Sequence, residues 1–142
     1  MRYFSYGLTV SEVEMDQACP GAKCLGQAVL MSHELRFAGP TDVVLHLHHN
    51  VDGIVWEIPE EYIDMVTAYE RHDMKRQLMI KHQGDTKRAW VSYKRMGTPP
   101  QQADYLYWQD IRDAYEYAGL PWGVLDKAVE LTDYYINLNQ NF

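Results

Sequence analysis

The stretch Tyr3-Phe4-Ser5-Tyr6-Gly7-Leu8-Thr9 opens the chain, and its counterpart Tyr69-Glu70 follows some sixty residues later. Residues 1–6 are an aromatic-rich run that stops at Gly7, which predicts a buried strand feeding a turn. Working outward, Ser11 and Glu14 have the spacing of a capping box, so a short helix is expected to begin there and to stop before Pro20. The segment Cys19-Pro20-Gly21-Ala22 runs into Leu25-Gly26. Residues 23–37 are rich in strand formers, so the expectation is a long or bent strand, punctuated by Gly39-Pro40.

In the middle of the chain Val43, Leu45 and Leu47 alternate with Val44, His46 and His48, the period of a strand with one wetter face. Residues 51–58 are expected to form its partner strand. Pro59-Glu60-Glu61 then opens a helix, with proline in the first turn and acids facing the helix dipole. Residues 77–82 and 87–93 flank Gln83-Gly84-Asp85-Thr86 and predict a hairpin. From residue 101 to residue 118, Ala103, Leu106, Tyr107, Ile111, Ala114 and Ala118 recur at helical spacing, and Gly119-Leu120-Pro121 ends the run. A second helix is expected from Pro121 to about Asn137, with residues 137–142 frayed. Strands early and helices late, without repeats or linkers, predict one compact α+β domain over residues 1–142.

Composition narrows the classes of function. The length of 142 residues and a hydrophobic fraction of 46% suit one ordinary core. A formal net charge of -7 argues against nucleic acid as a partner, because that affinity comes from clustered Lys and Arg. No apolar run reaches the roughly 20 residues of a membrane span, so no membrane partner is expected. Cys19 and Cys24 specify no disulfide framework and read as buried free thiols, and the cytoplasm is the expected location. No phosphate loop or G-x-G-x-x-G occurs, and no cofactor is expected. His46 and His48 would share one strand face, with His49 beside them and Asp42 or Asp52 as a conceivable third ligand. Histidines on a partly exposed strand need no metal, however, and none is assigned. Tyr105, Tyr107, Trp108, Tyr115, Tyr117, Trp122, Tyr134 and Tyr135 read first as helix packing and otherwise as a pocket or a homodimer interface.

One carboxylate stands out. On the helix opened by Pro59, Ile63, Val66 and Glu70 project from one face, so Glu70 points the way the apolar residues do. It lies near the helix C-terminus, where the macrodipole disfavours negative charge, and burial adds to that, so its pKa is expected to rise. The plainer reading is a solvated last-turn residue paired with Arg71 or Lys75.

Taken together, these segments resemble the γ-glutamylcyclotransferase-like family over nearly the entire chain. Tyr6-Gly7-Leu8-Thr9 stands where that family carries Tyr-Gly-Ser-Asn, and Val51-Asp52-Gly53-Ile54-Val55-Trp56-Glu57 resembles its Val-x-Gly-Val-(Leu/Val)-(Tyr/Trp)-Glu strand. Met65 to Arg71 matches a helix end of the type Leu-Asp-x-x-Glu-Gly, with Arg71 in place of the glycine. Trp90-Val91-Ser92-Tyr93 resembles a later strand, and Tyr107 stands twelve residues before Gly119-Leu120-Pro121, as a family pocket tyrosine does. A tyrosine usual after the Glu-Gly pair is replaced by Met74-Lys75-Arg76. The resemblance implies a mixed β-barrel or curved sheet flanked by helices. It implies cyclisation of a small-molecule γ-glutamyl substrate to 5-oxoproline, with release of an amine or amino acid. Glu70 would be the general acid/base, Tyr6, Gly7, Leu8, Thr9, Tyr93 and Tyr107 would bind substrate, and the N–H groups of Gly7 and Leu8 would face the oxyanion. No metal would be needed. The altered side chains at Leu8-Thr9 and Arg71 keep open a second reading, a noncatalytic protein that binds a small ligand in the same pocket.

Overall fold

The computed structural model describes residues 1–140. Its strands are β1 (Arg2–Ser5), β2 (Lys23–Phe37), β3 (Thr41–Glu57), β4 (Met74–His82) and β5 (Asp85–Tyr93), and its helices are α1 (Glu12–Ala18), α2 (Ile63–Tyr69), α3 (Tyr105–Ala118) and α4 (Gly123–Gln140). The strands close into a barrel in the order β1-β3-β2-β4-β5. Neighbours are antiparallel except at the seam, where Tyr3 of β1 lies opposite Trp90 of β5 in parallel. This is the expected mixed barrel flanked by helices.

Aromatic residues at the start of the chain belong to the core: β1 pairs with β3 and β5 on its two edges, and all of its residues except Arg2 are buried. Tyr3, Phe4 and Tyr6 are buried, together with Leu30, Phe37, Val55, Ile80 and Val91 of the longer strands. Gly53 of β3 lets β1 approach, since a Cβ there would lie 2.2 Å from the Ser5 carbonyl oxygen. From outside, α4 covers β2, and the Thr132 hydroxyl accepts the Phe37 backbone N–H (2.9 Å).

Several local expectations are corrected. The stretches expected at 43–48 and 51–58 are not two paired strands; 43–48 and 51–57 belong to one long strand, β3, and both halves pair with β2. The alternation inferred for 43–48 also fails, because Leu45 and Leu47 are 72% and 75% exposed. Ser11 occupies the N-cap of α1 but makes no side-chain cap bond. Pro59 precedes a 3-10 turn (Glu60–Tyr62) instead of standing inside the helix. The β4–β5 connection is tighter than expected: Gln83 and Gly84 alone turn the chain, both with positive φ, which matches the right-handed twist of the flanking strands. Asp104 caps α3 by accepting the Tyr107 N–H (2.8 Å), so that helix starts at Tyr105, and Leu106 is exposed. Helix α4 continues through residues 137–140, where fraying was expected; residues 141 and 142 lie outside those described. Cys19 is buried but Cys24 is exposed, and both are free.

Candidate functional site

Helix α2 ends in a turn that aims two side chains inward. Glu70 is its C-cap, and Arg71 takes a left-handed φ of 61°, the conformation glycine accepts without a Cβ penalty. The turn is held by Arg71 N–H to the Ala68 carbonyl (3.0 Å) and His72 N–H to the Thr67 carbonyl (3.0 Å). Reversing the chain at Arg71 sends Glu70 and His72 into the barrel and leaves Arg71 outside, its guanidinium 5.3 Å from the centre of the Tyr107 ring.

Glu70 is 2% exposed and shares its inward face with the buried Ile63 and Val66, as their spacing implies. Its carboxylate accepts two backbone N–H groups, from Leu8 (3.1 Å) and Thr9 (2.6 Å), presented by the 3-10 turn Leu8–Val10 that follows Gly7. Burial pushes its pKa up to about 7; the Thr9 and Leu8 N–H groups oppose the rise, and nearby Glu14 adds to it. Gly7 is required here by space: a Cβ would fall 1.7 Å from Glu70 Oε2. The Leu8 N–H, which the family resemblance assigned to an oxyanion, is donated to Glu70 itself.

Behind the carboxylate lies a polar network that sequence reasoning missed. His72 Nε2 donates to the Thr41 carbonyl (2.7 Å), which leaves Nδ1 to accept from Ser92 Oγ (2.7 Å), and Ser92 Oγ in turn accepts from the Tyr3 hydroxyl (2.7 Å). This arrangement needs a neutral imidazole, and burial accordingly lowers the His72 pKa to about 4. Tyr6 stacks on His72 and donates to the Ser92 carbonyl (2.6 Å), while Tyr115 donates to the Tyr6 carbonyl (2.6 Å). The Tyr107 hydroxyl accepts the Thr41 N–H (3.0 Å). Burial raises the pKa of Tyr3, Tyr6, Tyr107 and Tyr115, so these phenols keep their protons at neutral pH.

Of the residues singled out from sequence, Gly7, Leu8 and Thr9 thus meet at Glu70, while Tyr6 and Tyr107 reach the network around Thr41 and His72. Tyr93 faces the other way. Its neighbour Ser92 takes the inward position on β5, and the Tyr93 hydroxyl accepts from Arg76 Nε (2.7 Å) on the outer face. The missed residues Thr41, His72 and Ser92 carry no local motif; only the strand alternation beside Tyr93 hints at Ser92.

Two cavities lie apart from Glu70. One, of about 360 Å³, is lined by Trp108, Arg112, Glu116 and Trp122 among others; the second, of about 320 Å³, lies between Cys24, Trp56 and Tyr117. Trp56 Nε1 is buried without a hydrogen-bond partner among the described residues.

No protein-family model and no curated protein matches the sequence. Solved structures do. A chain described as γ-glutamyl cyclotransferase superposes with a TM-score of 0.72 at 16% identity, over 90% of this chain and 85% of that one. The chain has the γ-glutamyl cyclotransferase fold. An uncharacterized human protein shares this fold with a TM-score of 0.71 at 17% identity, over 89% of this chain and 85% of its own. So does an uncharacterized Pyrococcus horikoshii protein, with a TM-score of 0.56 at 16% identity, over 82% of this chain and 97% of its own. Among the described residues, no helix of this γ-glutamyl cyclotransferase fold is long and apolar enough to cross a membrane.

Proposed function

We propose that the protein cyclises a γ-glutamyl group to 5-oxoproline and releases an amine or amino acid, with Glu70 as the general acid/base. The observation that carries this reading is Glu70 itself: a buried carboxylate with its pKa raised to about 7, held against the backbone N–H groups that follow Gly7. A group poised near neutrality can both take up and return a proton at working pH. The likeness of fold to γ-glutamyl cyclotransferase supports the same reading.

In this scheme Glu70 takes a proton from the substrate α-ammonium, and the freed amine attacks its own γ-carbonyl carbon. The carbonyl π electrons move to oxygen, and N–H groups of the turn after Gly7 stabilise that charge. Collapse of the tetrahedral intermediate breaks the bond to the leaving nitrogen. Glu70 delivers to that nitrogen the protons shed by the attacking one, so the carboxylate ends as it began. The nucleophile belongs to the substrate, and its five-membered near-attack geometry contributes several kcal/mol, roughly, to the rate. Substrate entry requires Leu8 and Thr9 to exchange part of their bonding from Glu70 to the ligand. The tyrosines at positions 6 and 107 hold the walls of the site, and the protein is proposed to act on a free small molecule in the cytoplasm.

A second reading rests on a specific observation: both Glu70 oxygens already hold backbone donors and the side chain is almost fully covered. A protein using that anchor only to shape a ligand pocket would bind without turnover. Mass spectrometry of wild type and Glu70→Gln with a panel of γ-glutamyl amino acids and amines separates the two. The cyclotransferase yields 5-oxoproline and free amine from wild type alone; product formed equally by Glu70→Gln, or by neither folded protein, rejects it.

A further inference from the structure

The long β2–β3 ribbon carries an irregularity between its two paired halves. His33 of β2 pairs with Leu45 of β3, and Met31 pairs with Asn50. Between those pairs β2 has one residue, Ser32, in a left-handed conformation (φ 60°), while β3 has His46, Leu47, His48 and His49. The surplus on β3 breaks the two-residue alternation that would put His46 and His49 on opposite faces. Their rings instead meet edge to face, with centroids 4.2 Å apart and planes at 82°. Across the ribbon, Glu34 Oε2 lies 4.0 Å from His46 Nε2.

We propose that Glu34, His46 and His49 form a binding site for one divalent transition-metal ion of the zinc class. One ligand atom from each lies within 4.8 Å of the other two. Zinc bonds of about 2.0–2.1 Å at tetrahedral angles place ligand atoms about 3.4 Å apart, so rotation about side-chain bonds closes the set without moving the strands. Two imidazoles and one carboxylate are borderline ligands, suited to Zn²⁺, Co²⁺ or Ni²⁺ and poorly suited to Mg²⁺ or Ca²⁺, which favour oxygen alone. Glu34 and His46 are half-buried, and His49 is exposed where an ion can enter.

The tautomer of His46 must change on binding. Its Nδ1 accepts the His48 N–H at 3.3 Å, so Nε2 carries the proton. Ligation through Nε2 moves the proton to Nδ1 and releases that long bond. Of the third ligands raised by the sequence, neither Asp42 nor Asp52 belongs to this cluster, and Asp42 is buried in a bond to Arg36 Nε (3.0 Å) and also accepts the Lys94 N–H (2.9 Å). His48, 6.3 Å from His46 by ring centroids, stands farther off than His49. This assignment revises the expectation that the histidine run needs no metal.

Isothermal titration of the intact protein with ZnCl₂ in a non-coordinating buffer tests the site, with Co²⁺ absorption reporting geometry. The expected result is saturable 1:1 binding, visible d–d bands of four-coordinate Co²⁺, and affinity lowered roughly tenfold or more by each of Glu34→Gln, His46→Ala and His49→Ala. His48→Ala is expected to keep affinity within about twofold, and Zn²⁺ should raise the melting temperature of wild type and His48→Ala by mass action. The absence of saturable binding, equal affinity in the three ligand variants, or binding that survives loss of His49 but not of His48 overturns the proposal. None of these readouts depends on the proposed enzymatic activity.

Discussion

Glu70 and His72 lie two positions apart and titrate in opposite senses. Between its ordinary value of 4.5 and its folded value of about 7, Glu70 keeps a proton that the unfolded chain releases. Its contribution to stability is therefore complete below pH 4.5 and lost as pH rises through about 7, an effect on the order of 3 kcal/mol. His72, lowered from 6.5 to about 4, refuses a proton that the unfolded chain accepts, so its contribution is complete above pH 6.5 and lost as pH falls toward 4. Between pH 4.5 and 6.5 the two slopes cancel. Urea unfolding across this window is expected to be nearly flat in these two terms for wild type. Glu70→Gln should expose the His72 slope, losing about 3 kcal/mol between neutral and acid pH; a variant as flat as wild type would refute the balance. The sequence revealed only half of this pair. Glu70 was legible because helical spacing ties it to Ile63 and Val66, whereas His72 enters the barrel from beyond the helix, on a turn whose left-handed residue no periodicity announces.

At the scale of the element, the α2 terminus uses an arginine where the backbone favours glycine. Arg71→Ala keeps the left-handed strain and loses the guanidinium over the Tyr107 ring, while Arg71→Gly loses the same contact and relieves the strain. The glycine variant is expected to be more stable than the alanine variant by about 1 kcal/mol, measured by thermal or urea melts; an alanine variant equal to it would show that the turn relaxes. Arginine at this left-handed position is thus accommodated by the placement of its guanidinium over the Tyr107 ring. Other elements differed in how openly they showed themselves. β2 was legible to its ends because the strand formers of residues 23–37 resume after Gly26 and stop before Gly39-Pro40. β3 was not, because His49-Asn50 reads as a boundary, and only pairing with β2 lets the ladder continue past the extra residues.

At the scale of the whole molecule, the barrel depends on contacts between distant segments. The fold class was readable because strand patterns cluster early and helical ones late; the seam was not, because nothing local to Tyr3 or Trp90 says that they meet. α3 adds a second long-range tie, the Tyr115 hydroxyl donating to the Tyr6 carbonyl across 109 residues. Tyr115→Phe leaves that buried carbonyl without its side-chain donor and is expected to cost about 1–3 kcal/mol in unfolding free energy, with an unchanged value counting against the tie. The same bond imposes an order on synthesis. A ribosome delivers Tyr6 a full 109 residues ahead of the phenol that backs it. The nascent polypeptide therefore carries the aromatic strand β1 unfinished until α3 has been made, and the proposed catalytic pocket is complete only once that helix is in place.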